Sequence, residues 1–223
     1  MGPLIVSTLL FLGGIRPGSP QTKPEISLPN KIPASGGVRI GKPLFVSSAT
    51  IMCGPLESVY PFAPETYGLS CGYSPATSED SKIVLYTHAL DKQFFRLASD
   101  IDALAAKNKK LAGSMVIVID EKGAQYGGYS IEEVKQRREA IRRLVTENKI
   151  THLSFFLSAP NAVSIAPSLR LTSANLLIAF LVESNPAGDH AIVQWFMPMQ
   201  TTQLDEKALT GAVDALKNAV SAK

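Results

Sequence analysis

From Lys82 onward, apolar and polar residues recur with two periods, one suited to strands and one to helices. Lys82 to His88 (KIVLYTH) is a short run of β-prone residues and reads as a strand. Asp91 to Asn108 follows, with Phe94, Leu97, Ala98, Ile101, Leu104 and Ala105 at helical spacing. That pattern predicts an amphipathic helix with a polar outer face. Gly113 ends it, and Met115 to Ile119 is uninterruptedly apolar, as a strand covered on both faces would be. Ser130 with Glu133 three residues later makes a capping-box pattern for a second helix. Its buried stripe is Ile131, Val134, Ile141, Leu144 and Val145. His152 to Leu157, Leu176 to Val182 and Ala191 to Met197 read as three more strands. Asn185, Pro186, Gly188 and Asp189 are turn residues that make the last two a hairpin. A helix from Asp205 to Val220, with Leu209, Ala212, Val213, Leu216 and Val220 as its stripe, closes the chain. The order β-α-β-α-β, hairpin, helix predicts an α/β fold, a mixed sheet sandwiched by helices, with a right-handed βαβ unit at its start.

The first 81 residues look different. They hold 11 of the 15 prolines and a balanced set of charges, and a boundary is read near Glu79 to Ser81. Pro3 to Gly14 is apolar, too short to span a bilayer but suited to the hydrophobic part of a signal peptide, here placed over residues 1–20. The expectation is an exported protein, periplasmic or extracellular, with no membrane span in its mature form. Residues 21–35, with Pro24, Pro29 and Pro33, read as a linker, since proline blocks regular structure. Residues 36–81 read as an irregular extension with short strands, and residues 82–223 as the main domain.

Composition narrows the function classes. Hydrophobic residues at 45% and charged ones at 18% describe a globular chain. A net charge of +3 is too small and too dispersed for a polyanionic partner. Lys135, Arg137, Arg138, Arg142 and Arg143 make the second helix basic, but Glu133 with Arg137 and Glu139 with Arg143 stand four apart in the favourable order. The reading is a solvated face and no nucleic-acid surface. Trp195 and Phe196 are adjacent strand positions and point to opposite faces.

The candidate chemistry is sparse. Cys53 and Cys71 are the only thiols, and each precedes a glycine. In an exported protein, two cysteines so spaced most simply form a structural disulfide, stabilising by roughly 3 kcal/mol. Leu44 to Pro55 (LFVSSATIMCGP) also offers Cys53 as a nucleophile after a strand, with Cys71 as a distant resolving thiol. Against that, Leu56 stands where a second motif cysteine would, and Pro61 and Pro64 interrupt any following helix. His88, at the carboxyl end of the first strand, and Asp91 form a candidate ligand or acid–base pair. The simpler reading is a loop histidine and an N-capping aspartate. His152 and His190 are isolated, and no spacing predicts a zinc site or any other cofactor. Met197, Met199, Met52 and Cys53 are soft ligands that core packing explains better than copper.

The run IVLYTHALDKQFFRLASDIDALAAKN, then MVIVID, then the LLIAFLV hairpin and closing helix, resembles the thioredoxin-like superfamily in its peroxiredoxin-like form. It is similar to bacterial exported members that lack the redox cysteine motif. The resemblance implies a cysteine at the start of the helix after the first strand, where the helix N-terminus favours a thiolate. Here that place reads Thr87-His88-Ala89-Leu90-Asp91-Lys92. It also implies a proline before the hairpin, where Thr172-Ser173-Ala174-Asn175 stands instead. The expectation is a non-catalytic domain that binds another protein or joins an envelope assembly. The alternative is a thiol-disulfide oxidoreductase or peroxidase built on Cys53.

Overall fold

In the computed structural model, residues 40–44, 49–60, 62, 81–119, 130–158, 176–184, 191–200 and 204–222 are described. All belong to the unit spanning residues 32–223. In chain order the elements are β1 (Pro43–Leu44), β2 (Thr50–Cys53), a 3-10 turn (Pro55–Ser58), β3 (Ser81–Thr87) and α1 (Lys92–Lys107). A second 3-10 turn (Lys109–Leu111), β4 (Met115–Ile119), α2 (Ile131–Glu147) and β5 (Ser154–Ser158) follow. The antiparallel pair β6 (Leu176–Ser184) and β7 (Ala191–Gln200), then α3 (Glu206–Ser221), complete them. Their loop, with the turn residues read from sequence, lies outside the described residues.

The strands form one seven-stranded sheet in the order β1-β7-β6-β3-β4-β5-β2. β3 is parallel to β4, and β4 to β5; β6 runs antiparallel to β3. The two short strands of the N-terminal extension add to opposite edges, β1 beside β7 and β2 beside β5, so they complete the sheet of the main domain.

Alternation along each strand divides the core in two. On one face Ile83, Leu85, Val116, Val118, Phe155 and Leu157 meet the stripes of α1, α2 and α3. On the other, Val84, Tyr86, Ile117, Phe156, Ile178 and Phe180 are buried, with Leu56, Tyr60, Phe62 and Phe196 against them. The helices sandwich the sheet less evenly than expected: all three described long helices pack on one face. The cause is the strand order. β3, β4 and β5 step in one direction, and successive right-handed crossovers then place both intervening helices on the same side.

Capping follows the sequence closely. Asp91 accepts from the Phe94 amide, and Asp205 from the Ala208 amide, each at 2.8 Å. Ser130 and Glu133 form the expected reciprocal box. Two bulges were not legible in the pattern. One, between Leu181 and Val182, is where β7 changes face: Val193 lies in the second cluster, whereas Trp195 and Met197 pack in the helix-side one. The other, between Ile51 and Cys53, turns both Met52 and Cys53 toward the helices. Ile131, counted in the stripe of α2, is instead 48% exposed.

Candidate functional site

Cys53 ends edge strand β2, and Gly54 leads at once into the 3-10 turn. Gly54 is required there. Its φ is +117°, and a Cβ would come within 2.6 Å of Ser154 Cα and 2.7 Å of the Leu153 carbonyl. The close approach lets the Leu56 amide donate to Ser154 Oγ at 3.0 Å, fastening the turn to β5. Glu57, on the same turn, faces α2. Its Oε1 accepts from both Arg138 and Arg142, the latter at 2.7 Å, and its Oε2 from the Gly54 amide at 3.3 Å. Arg138 also donates from Nε to the Met52 carbonyl at 3.0 Å and lies 3.8 Å over the Phe62 ring. One arginine thus touches β2, the turn and Phe62, four positions past the turn.

Electrostatics follow from this bracket. Cys53 is a free thiol and only 6% exposed. Burial, and then the Glu57 carboxylate, push it up to about 12, against the pull of Arg142 and Arg138. Burial acts to raise the Glu57 carboxyl too, but the hydrogen bonds and charges of Arg138 and Arg142 outweigh it and hold the group below the usual carboxylate range. Cys71, the partner expected for Cys53, lies outside the described residues.

The junction of the leading strand with its helix is built differently. Thr87 ends β3 fully buried, and its Oγ1 donates to the Ala89 carbonyl at 2.8 Å and accepts from the Ala89 amide at 3.2 Å. His88 is half-buried, and Asp91 is engaged as the helix N-cap. The Asp91 carboxylate therefore holds the helix-terminal position that suits an anion. The aspartate is a cap, as the simpler reading had it.

The arrangement of the strands decides the fold. β3, which leads into α1, lies between parallel β4 and antiparallel β6, with β5 outside β4 and β7 outside β6.

The fold is thioredoxin-like.

β5, parallel to β4 on its outer side, is the strand that follows α2. Among solved structures, the chain is similar to the 2-Cys peroxiredoxin of Plasmodium vivax in reduced form, with a TM-score of 0.47 and 13% identity over 82% of this chain and 98% of that one. It is similar to the yeast mitochondrial 1-Cys peroxiredoxin, with a TM-score of 0.47 and 10% identity over 82% and 78%. A secreted Mycobacterium tuberculosis disulfide oxidoreductase homologous to E. coli DsbE also matches, with a TM-score of 0.38 and 11% identity over 66% and 91%. No protein-family model matches the chain, and no curated protein does.

Within this thioredoxin-like frame the structure joins residues that sequence left apart. Asp102 of α1 accepts from the amides of Thr151, His152 and Leu153 at 3.1, 2.6 and 3.0 Å, and lies 3.2 Å from His152 Nδ1. An acid falling within the apolar stripe of α1, four residues after Ala98, was its only signal. Arg138 was read as part of a solvated face, yet it is 17% exposed and bound to a turn 81 residues earlier. Glu139 meets Arg142, at 3.9 Å, three positions on rather than four. Met52, Met197 and Met199 are all buried in the helix-side core. Among the described residues, no group of three His, Cys, Asp or Glu side chains converges on one point, and no helix is long and apolar enough to cross a membrane. His190 and the Thr172–Asn175 segment lie outside the described residues.

Proposed function

We propose that this chain is a thioredoxin-like domain of an exported protein that works by binding another protein, without thiol turnover in its resting state. One observation carries the reading. The amino end of α1, where a thiolate would gain most from the helix, is occupied by the Asp91 carboxylate bound to the Phe94 amide. A cysteine reached from elsewhere would have to displace that cap. Cys53 belongs to the outermost strand instead, buried and held protonated at neutral pH.

The experiment is a pair of turnover assays, disulfide reduction and peroxide reduction, on the wild type and on Cys53→Ser. The expected outcome is background turnover for both proteins. Turnover that disappears with Cys53→Ser would replace the binding reading with the oxidoreductase one. A specific feature supports that second reading: Arg138 and Arg142 stand close enough to Cys53 to favour its thiolate. For the binding role, size-exclusion and cross-linking of the full chain in its native extract should show a defined complex. A lone monomer under those conditions counts against it.

A further inference from the structure

The side of α2 that looks away from the core carries charges that the chain itself leaves almost unpaired. We propose that this face is a self-association surface: two copies of the chain pair through α2, the helices side by side and antiparallel, with a two-fold axis at the level of Arg137 and Arg138. The occupant is a second copy of this chain, so the inference goes beyond the binding of another protein.

Helical spacing selects the residues. Val134, Ile141 and Val145 turn one side of α2 into the core. On the opposite side, at intervals of three and four, stand Glu132, Lys135, Gln136, Glu139, Ala140 and Arg143, all of them exposed. These residues line an open hollow of about 530 Å³, which leaves room for side chains from outside. Among the described residues, Glu132, Lys135 and Arg143 form no ion pair, and Glu139 reaches only Arg142, at 3.9 Å. Arg138 and Arg142 lie on the flank of this stripe and are engaged by Glu57.

The order of the charges names the occupant. Along the helix Glu132, Lys135, Glu139 and Arg143 read minus, plus, minus, plus. Backwards they read plus, minus, plus, minus, so an antiparallel copy offers the opposite charge at every level. Glu132 of one copy meets Arg143 of the other, and Lys135 meets Glu139. The two-fold axis makes each contact twice, as an isologous interface requires. Gln136 and Ala140, the neutral pair, meet each other on one flank, where the short alanine side chain lets the helices come close. A parallel copy in the same register would set like charge against like, and a uniformly acidic or basic partner would be repelled by two of the four charges. The seam is short: Glu132 to Arg143 covers about 17 Å of helix axis. Exposed ion pairs are individually weak and screened by salt, so the association is reversible, salt-sensitive and favoured by high concentration. The purified chain tests this pairing, whereas the native extract tests the role proposed above, so either can fail without the other.

The experiment is sedimentation equilibrium of the purified full chain over a wide range of protein concentration, with reductant present so that no disulfide contributes. The wild type is expected to form dimers at low salt, and a dissociation constant raised by on the order of tenfold at high salt. Lys135→Glu and Glu139→Lys are then measured alone and mixed in equal amounts. Each alone puts like charges face to face twice and should weaken pairing by on the order of tenfold or more. The mixture restores both contacts: the introduced carboxylate faces the introduced amine, and the untouched Glu139 of one variant faces the untouched Lys135 of the other. It should therefore associate about as the wild type does. A wild type that stays monomeric at low salt overturns the proposal, whether water or another part of the chain covers the face. A dimer that both variants keep lies elsewhere and overturns it too, as does a mixture no more associated than its components. Circular dichroism checks that the variants fold; if either does not, Glu132→Lys and Arg143→Glu make the same cross at the outer positions.

Discussion

Cys53 and Glu57 are four residues apart, and the carboxylate of the second adds to the burial that holds the first protonated. The buried thiol keeps its proton well past the value at which an unfolded cysteine, near 9.0, would lose it. In the window from about 9 to about 12, the folded chain therefore binds more protons than the unfolded one, and stability falls as pH rises. The slope from this group alone reaches about 1.4 kcal/mol per pH unit. Chemical denaturation of the wild type and Cys53→Ala across that window should show the steeper fall in the wild type; parallel curves would remove the buried-thiol account. Glu57 works with the opposite sign. Its depressed carboxyl contributes stability above its unfolded value of 4.5, and that contribution is lost as acid protonates it in the folded state. Neither effect was legible in sequence. Cys53-Gly54-Pro55 was visible as a motif, but the arginines that answer Glu57 lie 81 and 85 positions away, and only the packing of α2 on β2 joins them. Asp91 is the contrary case: its role depends on a residue three positions on, and local pattern was enough to read it.

At the scale of elements, legibility followed the range of the interaction. The helices and the five main strands were marked by local periodicity, and the structure moves most of their ends by only a residue or two, carrying β6 and β7 a little further than read. β1 and β2 were blurred because each is short and gains its place from a distant partner, Ala191 and Ile192 for one, Phe155 to Leu157 for the other. The Asp102 contact shows the same dependence. The carboxylate is 7% exposed and gathers three successive amides at the entry to β5, tying α1 to the segment that leads into that strand. Removing the acceptor leaves those amides without it, so Asp102→Ala should cost about 3 kcal/mol, with Asp102→Asn costing less because one oxygen remains. Urea unfolding of the two variants checks this. Equal and small losses would mean that water takes over the amides. His152, at 49% exposure, lies on the rim of this contact, and no local pattern marked its pairing with a residue 50 positions earlier.

For the whole molecule, the apparent boundary near residue 81 separates two styles of sequence but not two cores. Ile51 and Met52 are 2% and 0% exposed, one in each core cluster, although both precede that boundary. A chain starting at Ser81 loses their burial, roughly 3–6 kcal/mol, from a margin that is typically about 5–15 kcal/mol. It should unfold at a much lower temperature than the full chain or fail to fold; a truncated protein of unchanged melting temperature would show the extension to be dispensable. The placement of β1 and β2 has a geometric consequence as well. They are the outermost strands on opposite rims, yet only six peptide steps lead from Leu44 to Thr50. Fully stretched, that tether reaches about 21 Å, whereas seven strands laid flat are about 29 Å from rim to rim. The sheet has to coil until its rims fit the tether, and it cannot unroll without tearing away one of them.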